Sequence, residues 1–376
     1  MKQIIGVIFG GRSGEHEISI RSARSVIRAV NRNRFDVVPI CISKNGTWLA
    51  PAASVEILGP EFQDLVLQGS CEVKAETSAL GEHSGKRGLY FPFSEPDDFI
   101  DIDVMFPVLH GTFGEDGTVQ GLFEMAGIPY VGCGVLASSC GMDKITMKVL
   151  LRDAGLPICG YSWLSRSEFE RDTAAALRRI ESELDYPMFV KPANLGSSVG
   201  VSRATDTDAL LNSIEYAAEY DSRIVVEESL EMREIECGVI GNDEPIASRP
   251  GEYIIRDKDK AFLDYREKYA GTGNNEFVVP APISEELSAK ISEMAIRTFK
   301  AINGSGLARV DFFLRKDTGA LLVNEINTMP GLTDASGFPK MWEGSGMPFS
   351  DIITELVSLA FERYRDRSRN KTSFSD

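Results

Sequence analysis

The 376-residue chain has no surplus of positive charge: 40 Lys and Arg stand against 56 Asp and Glu, a formal net charge of −16. A surface this acidic has no electrostatic footing on a polyanion, which argues against nucleic acid or an anionic membrane as partner. A small anion held by a few local Lys and Arg residues, or by a metal, is still compatible with it. Long apolar runs are also missing. Runs such as residues 4–9 fall far short of the ~20 residues that span a bilayer. That run follows Lys2 as a signal sequence would, but it is too short for one. It passes into Gly10–Gly11–Arg12 with no small-residue cleavage site, so it reads as a buried first strand. The six cysteines (Cys41, Cys71, Cys133, Cys140, Cys159, Cys237) include no Cys-x-x-Cys pair and read as reduced, mostly buried thiols of a cytoplasmic protein. Low-complexity tracts are absent, and 43% hydrophobic with 26% charged residues is ordinary for a globular chain of two or three domains.

Two nucleotide signatures are missing as well. Gly10–Gly11–Arg12–Ser13–Gly14 is not G-x-G-x-x-G, and the second predicted strand ends Cys41–Ile42–Ser43 without an acid to hold a ribose. Gly85–Lys86–Arg87 lacks both the hydroxyl residue and the spaced glycine of a P-loop. Dehydrogenase and P-loop NTPase chemistry are therefore unsupported.

What is present is an alternation of strands and helices. Strands at 4–9 and 35–42 bracket a helix over 15–30, which implies a parallel sheet in an α/β unit of residues 1–135, with an insertion at about 43–100 and a further strand at 102–109. Apolar spacing predicts one helix over 139–156, then a small unit to 225 and a larger one over 226–367. A helix over 284–302, a hairpin from 307 and a last helix over 350–365, with Ser350 as N-cap, fall in the larger unit. Residues 257–275 are polar and aperiodic, a long loop of the kind that serves as a lid. Residues 368–376 form a tail.

Four stretches carry chemistry. Lys191 ends a strand and leads into a Gly/Ser loop to Gly200, so backbone N–H groups, hydroxyls and an ammonium can meet on a phosphate; an ordinary surface loop reads the same. In the hairpin, a three-residue loop Asp317–Thr318–Gly319 would pair Arg315 with Leu321, Phe313 with Val323, Asp311 with Glu325 and Arg309 with Asn327. Asp311, Glu325 and Asn327 then share one patch that suits Mg²⁺, or is simply a solvated acidic face, with Phe312, Leu314, Leu322 and Ile326 buried behind it. His110–Gly111–Thr112–Phe113–Gly114 follows a strand as a substrate loop or a Gly-rich turn. Glu15–His16–Glu17 opens a helix, where acids suit the dipole and one of them can serve a ligand.

Together these stretches resemble the D-alanine–D-alanine ligase family of the ATP-grasp superfamily. The resemblance runs through 10–19, 110–121, 142–144, 190–200, 233–236, 264–269 and 325–331 with Ser336, in the family's order. It implies an α/β fold (α+β in the ATP-binding part): an ATP-grasp fold with an N-terminal Rossmann-like domain, three domains in all. It also implies a homodimer, ATP as substrate, two Mg²⁺ ions with Mn²⁺ as substitute, and a place in peptidoglycan precursor synthesis. By the same resemblance Lys144, Lys191 and Ser198 would meet the nucleotide phosphates. Glu227, Glu228, Leu230, Glu234, Phe313 and Asn324 would line the adenosine pocket, and Asp311, Glu325 and Asn327 would hold the metal. Glu17 would take the ammonium of the first D-alanine, with His110 in its loop. Arg309 and the Gly331 N–H would face the oxyanion, and Lys268, Ser336 and Gly337 the second D-alanine. Ser197 and Tyr269 would link lid and first substrate; tyrosine there implies dipeptide over depsipeptide. Glu228 stands where some relatives carry lysine. Gly337 stands where a larger apolar residue is usual, which leaves room for a hydroxymethyl group. D-alanyl-D-serine or D-alanyl-D-lactate formation is the alternative. A nucleotide-binding protein without turnover is disfavoured by the full set Lys144, Lys191, Arg309, Asp311, Glu325 and Asn327.

Overall fold

The protein was analysed as a computed structural model, which describes residues 2–65, 79–83, 86–90, 100–196, 199–255 and 275–371. Its first strand, Gln3–Gly10, is buried from Ile5 onward because it is central: Phe35–Ile42 and Val104–Val108 pair with it in parallel on either side. Helix His16–Ala29 covers this sheet with Ile20, Ala23, Val26 and Ile27. The last helix, Phe349–Arg367, joins the same core through Ile352, Ile353, Leu356 and Val357. The two ends of the chain therefore share one hydrophobic cluster. That last helix starts two residues earlier than its capping pattern predicts. Pro348 takes the N-cap position, and Ser350 lies in the first turn, its hydroxyl directed at Asp351. In the insertion, helix Pro51–Leu58 escaped the sequence reading because its eight residues carry almost no polar stripe to mark a period.

An antiparallel sheet of four strands follows, in the order Tyr161–Ser165, Arg223–Glu228, Met188–Pro192, Ser202–Ala204. Helices Thr173–Glu183 and Thr207–Ala218 pack on it through Leu177, Ile180, Leu210 and Ile214. Each opens on an aspartate whose side chain accepts from a backbone N–H three residues on. The strand Arg223–Glu228 runs across the expected boundary at 225/226. A sheet of six strands lies beyond it. Five run in the order Asn275–Val278, Gly251–Ile255, Met232–Gly241, Gly306–Arg315, Leu321–Asn327, and Ile246–Ala247 pairs off the third. Helix Glu285–Ala301 covers this sheet, with the Ser284 hydroxyl capping Leu287 N at 3.2 Å.

The single helix expected over 139–156 is two, Val135–Met142 and Lys144–Asp153, broken at Asp143. Asp143 is extended, and its carboxylate accepts from Thr146 N at 2.7 Å and from Asn194 Nδ2 at 3.0 Å while pairing with Arg223. A residue that caps a new helix and pays attention to a cation across the sheet overrides apolar spacing that would continue the old one. Lys144 thereby becomes the first residue of a helix.

The expected lid lies outside the described residues except for its last position, Asn275, and so do Cys71, Ser197, Ser198 and most of the tail. The other five cysteines are free thiols, four of them buried. Among the described residues no helix is long and apolar enough to cross a membrane.

Candidate active site

The hairpin Gly306–Arg315/Leu321–Asn327 forms with the expected register at its open end, Arg309 opposite Asn327 and Asp311 opposite Glu325. Between Asp311 and Phe312 the register shifts by one, so Phe313 faces Leu322 and Leu314 faces Leu321. The extra residue is Asn324. This bulge places Asn324 and Glu325, neighbours in sequence, in the same cleft, and it buries Val323 where strict alternation would bury Leu322. The turn is correspondingly longer by one: Arg315 N donates to Ala320 O at 2.9 Å, and Gly319 adopts φ 68°.

On the other edge of the same strand, Glu236 lies opposite Asp311 and Glu234 opposite Phe313. Three carboxylates, Glu236, Asp311 and Glu325, thus form a row across three strands, which would repel without a cation. Arg309 supplies it, donating to both oxygens of Asp311 at 2.7 Å and standing 3.4 Å from Glu236. Asn327 donates to Asp311 at 3.1 Å. Glu236 had no role in the sequence reading, although it sits in the matched stretch Arg233–Glu234–Ile235–Glu236.

The four-stranded sheet closes the cleft from the opposite side with lysines. Lys191 reaches it from the end of Met188–Pro192, and Lys144 from the start of its helix, where Nζ donates to Leu195 O at 2.7 Å. Behind Lys191, the Glu227 carboxylate is buried between Lys191 Nζ at 2.6 Å and Lys148 Nζ at 2.8 Å. Glu228 accepts from Gly160 N at 2.7 Å. Glu227, Glu228 and Leu230, expected around the adenosine, are not among the cleft-lining residues; Glu234, Phe313 and Asn324 are. Glu227 shares the sheet face of Lys191, but the two lysines hold its carboxylate beneath the cleft.

The N-terminal sheet contributes the third wall and the clearest correction. Glu17 points outward, 67% exposed and bound to Lys44 at 2.8 Å, which holds its carboxyl below the usual carboxylate range. Glu15 is the helix-opening acid that lines the cleft. The turn before it closes tightly. Gly10 has φ 89°, and a Cβ there would lie 2.2 Å from Ile42 O, so only glycine fits. His110, buried, also lines the cleft. Its Nδ1 faces Met329 O at 3.2 Å and its Nε2 the Ser22 hydroxyl at 3.0 Å, with Glu115 at 3.7 Å. Burial alone would lower its pKa, but Glu115, Glu15 and the Met329 carbonyl outweigh it and raise the pKa above the ordinary value. A raised folded-state pKa stabilises the fold fully below the unfolded pKa, and that contribution is lost as pH rises through the folded one. In urea unfolding, the stability advantage of the native chain over His110→Gln is therefore expected to be larger at about pH 6 than at about pH 9. An advantage that grows with pH would contradict this charge balance.

Ser336 and Gly337 do not line this cleft. The Ser336 hydroxyl accepts from Thr333 N at 3.1 Å and meets Thr333 Oγ1 at 2.7 Å, so it is held within its own turn. Nor does Gly337 leave room. A Cβ there would lie 2.5 Å from Glu236 Oε2 and 2.8 Å from the Phe277 ring. Gly337→Ala is expected to lower stability by about 1–3 kcal/mol through overpacking, read as a fall in Tm. An unchanged Tm would mean that Phe277 and Glu236 give way freely. Lys268, Tyr269, Ser197 and Ser198 lie outside the described residues.

Two antiparallel sheets that grip a cleft, lysines on one and a carboxylate row on the other, define the ATP-grasp class of ligase. The comparisons with known proteins narrow the class. Profiles described as "D-ala D-ala ligase N-terminus" and "D-ala D-ala ligase C-terminus" match residues 4–133 and 150–358. The chain is 45% identical to the D-alanine--D-alanine ligase of Natranaerobius thermophilus, with all of both chains covered. It is 46% identical to that of Bacillus velezensis over 98% of this chain and 100% of the relative. Among solved structures, the D-alanine-D-alanine ligase of Coxiella burnetii superposes with a TM-score of 0.80 at 33% identity, covering 98% of this chain and 96% of that one. The VanG D-Ala:D-Ser ligase of Enterococcus faecalis does so with 0.80 at 34%, covering 96% and 100%. The chain belongs to the D-alanine–D-alanine ligase family.

Proposed function

We propose that the protein joins two D-alanine molecules into D-alanyl-D-alanine, an ATP-driven step of peptidoglycan precursor synthesis. The observation that carries this reading is the cleft itself: Lys144 and Lys191 face Asp311, Glu325 and Asn327, with Glu15 entering from the third wall. Lys144 and Lys191 neutralise nucleotide phosphates, and Glu234, Phe313 and Asn324 receive the nucleoside. Asp311, Glu325 and Asn327 offer hard oxygen donors side by side, a set that fits Mg²⁺, or Mn²⁺ in its place, completed by phosphate and water. When bound, the metal spreads the charge of the transferring phosphoryl group.

Glu15 takes the ammonium of the first D-alanine and leaves its carboxylate free to attack the γ-phosphorus, with ADP as leaving group. The free amine of the second D-alanine then attacks the acyl carbon of the D-alanyl phosphate. Phosphate leaves, and the amine loses a proton. The tetrahedral oxyanion faces Arg309, whose guanidinium has donors beyond the two on Asp311, and the Gly331 N–H. The same reading takes residues 1–135, 136–228 and 229–367 as three domains, since each holds one main sheet, and places the chain in the cytoplasm as a homodimer.

Incubation with ATP, Mg²⁺ and D-alanine, alone or mixed with D-serine or D-lactate, followed by mass analysis of products, tests the proposal. D-alanyl-D-alanine with stoichiometric phosphate is expected. A dominant mixed product would move the chain to the alternative activity, and phosphate release indifferent to D-alanine would overturn the ligase reading.

A further inference from the structure

Beneath the cleft lies a buried cluster with one positive charge more than pairing requires. Glu227, 3% exposed, receives Lys191 on one carboxylate oxygen at 2.6 Å and Lys148 on the other at 2.8 Å. Lys148 has no exposed surface at all; its other neighbours are Cys159 Sγ at 3.3 Å and the Tyr161 ring at 5.5 Å. It stands one turn after Lys144 on the same helix, so the two lysines share a face. Lys144 reaches into the cleft, and Lys148 passes under it.

A single lysine would satisfy Glu227 as a neutral pair. Burying a third full charge is costly, so the extra lysine is a feature to account for. All three groups stay ionised. Burial works against the charge of each, yet the two lysines hold Glu227 well below the usual carboxylate range, and Glu227 holds both lysines above theirs. Lys191 feels Glu325 as well, which places it between the buried cluster and the carboxylate row.

We infer that Lys148 is a positioning residue for nucleotide binding: it takes up the charge of Glu227, so that Lys191 keeps its own positive charge for a phosphate in the cleft. The inference rests on the reading of Lys191 as a phosphate ligand. Without Lys148, Glu227 and Lys191 close into a neutral pair, whose carboxylate cancels the field of the ammonium and draws it back from the cleft.

The test compares Lys191→Met, Lys148→Met, Lys148→Arg and the double variant Lys148→Met/Glu227→Gln in the full-length enzyme. It reads KM for ATP, KM for D-alanine and, by calorimetry, ADP affinity with Mg²⁺. Lys148→Met is expected to raise KM for ATP about tenfold with KM for D-alanine little changed, and Lys148→Arg to retain most of the affinity. The double variant restores the local charge to that of one lysine and is expected to regain most of the lost ADP affinity. A merely structural role would move both KM values and would not be repaired by a second substitution. An unchanged KM for ATP in Lys148→Met, or a double variant that binds ADP no better than Lys148→Met, overturns the inference. If Lys148→Met fails to fold, the double variant alone decides: ADP affinity within about threefold of the native enzyme supports the inference, and a loss as large as that of Lys191→Met overturns it. Lys191→Met separates the two readings, because undiminished ADP binding there would sink the phosphate role of Lys191 itself.

Discussion

Glu325→Gln is expected to lower turnover by about three orders of magnitude while leaving the fold intact. Glu325 stands directly opposite Asp311, and the bulge at Asn324 turns both Asn324 and Glu325 into the cleft. The Glu325 carboxylate would help to hold Mg²⁺; the amide keeps the shape, loses the charge and offers one oxygen. The phosphoryl group in flight would then lack the neutralisation that a bound metal would supply. Folding is not at risk, since removing one of two opposed carboxylates relieves a repulsion in the ligand-free protein. Steady-state turnover across a Mg²⁺ titration, with thermal unfolding alongside, checks both halves. Near-native turnover would remove Glu325 from the metal assignment, and a collapse in Tm would mean that it serves the fold.

The second large effect separates two acids that lie two residues apart. Glu15→Gln is expected to reduce kcat/KM for D-alanine by about a hundredfold or more, near 2.7 kcal/mol of transition-state stabilisation, while Glu17→Gln stays within about twofold of the native enzyme. Glu15 lines the cleft beside the His110 loop, where its carboxylate would meet the substrate ammonium. Glu17 faces solvent on Lys44, and exposed pairs of that kind contribute little. The two variants assayed side by side over a D-alanine titration settle the matter, and a larger loss in Glu17→Gln would reverse the assignment.

Much of this site could be read from local pattern. Strand alternation places Arg309, Asp311, Glu325 and Asn327 on one face, and the hairpin has that register at its open end. Lys191 at a strand end, and the Gly-Gly turn after the first strand, follow from residue type and spacing, and both lie where expected. These features depend on neighbours within a few residues, which is the range over which backbone periodicity and turn chemistry act.

What needed the tertiary structure were choices between equivalent local options. Glu15 and Glu17 both suit a helix start, and only the assembled structure shows Glu15 lining the cleft while Glu17 faces solvent beside Lys44. The helix break at Asp143 depends on Arg223, eighty residues on. Glycine at 337 reads as empty space until Glu236 and Phe277 from two other strands are seen to fill it. Lys148 reads as one more polar position on an amphipathic helix. Only the strand carrying Glu227 makes it a buried cation beneath Lys191. In each case the deciding contact comes from a segment far away in the chain. The sequence determined by itself most of the elements and the class of chemistry. Which side chains face the cleft was decided by packing between sheets, because burial and charge pairing are properties of the assembled surfaces and not of any one strand or helix.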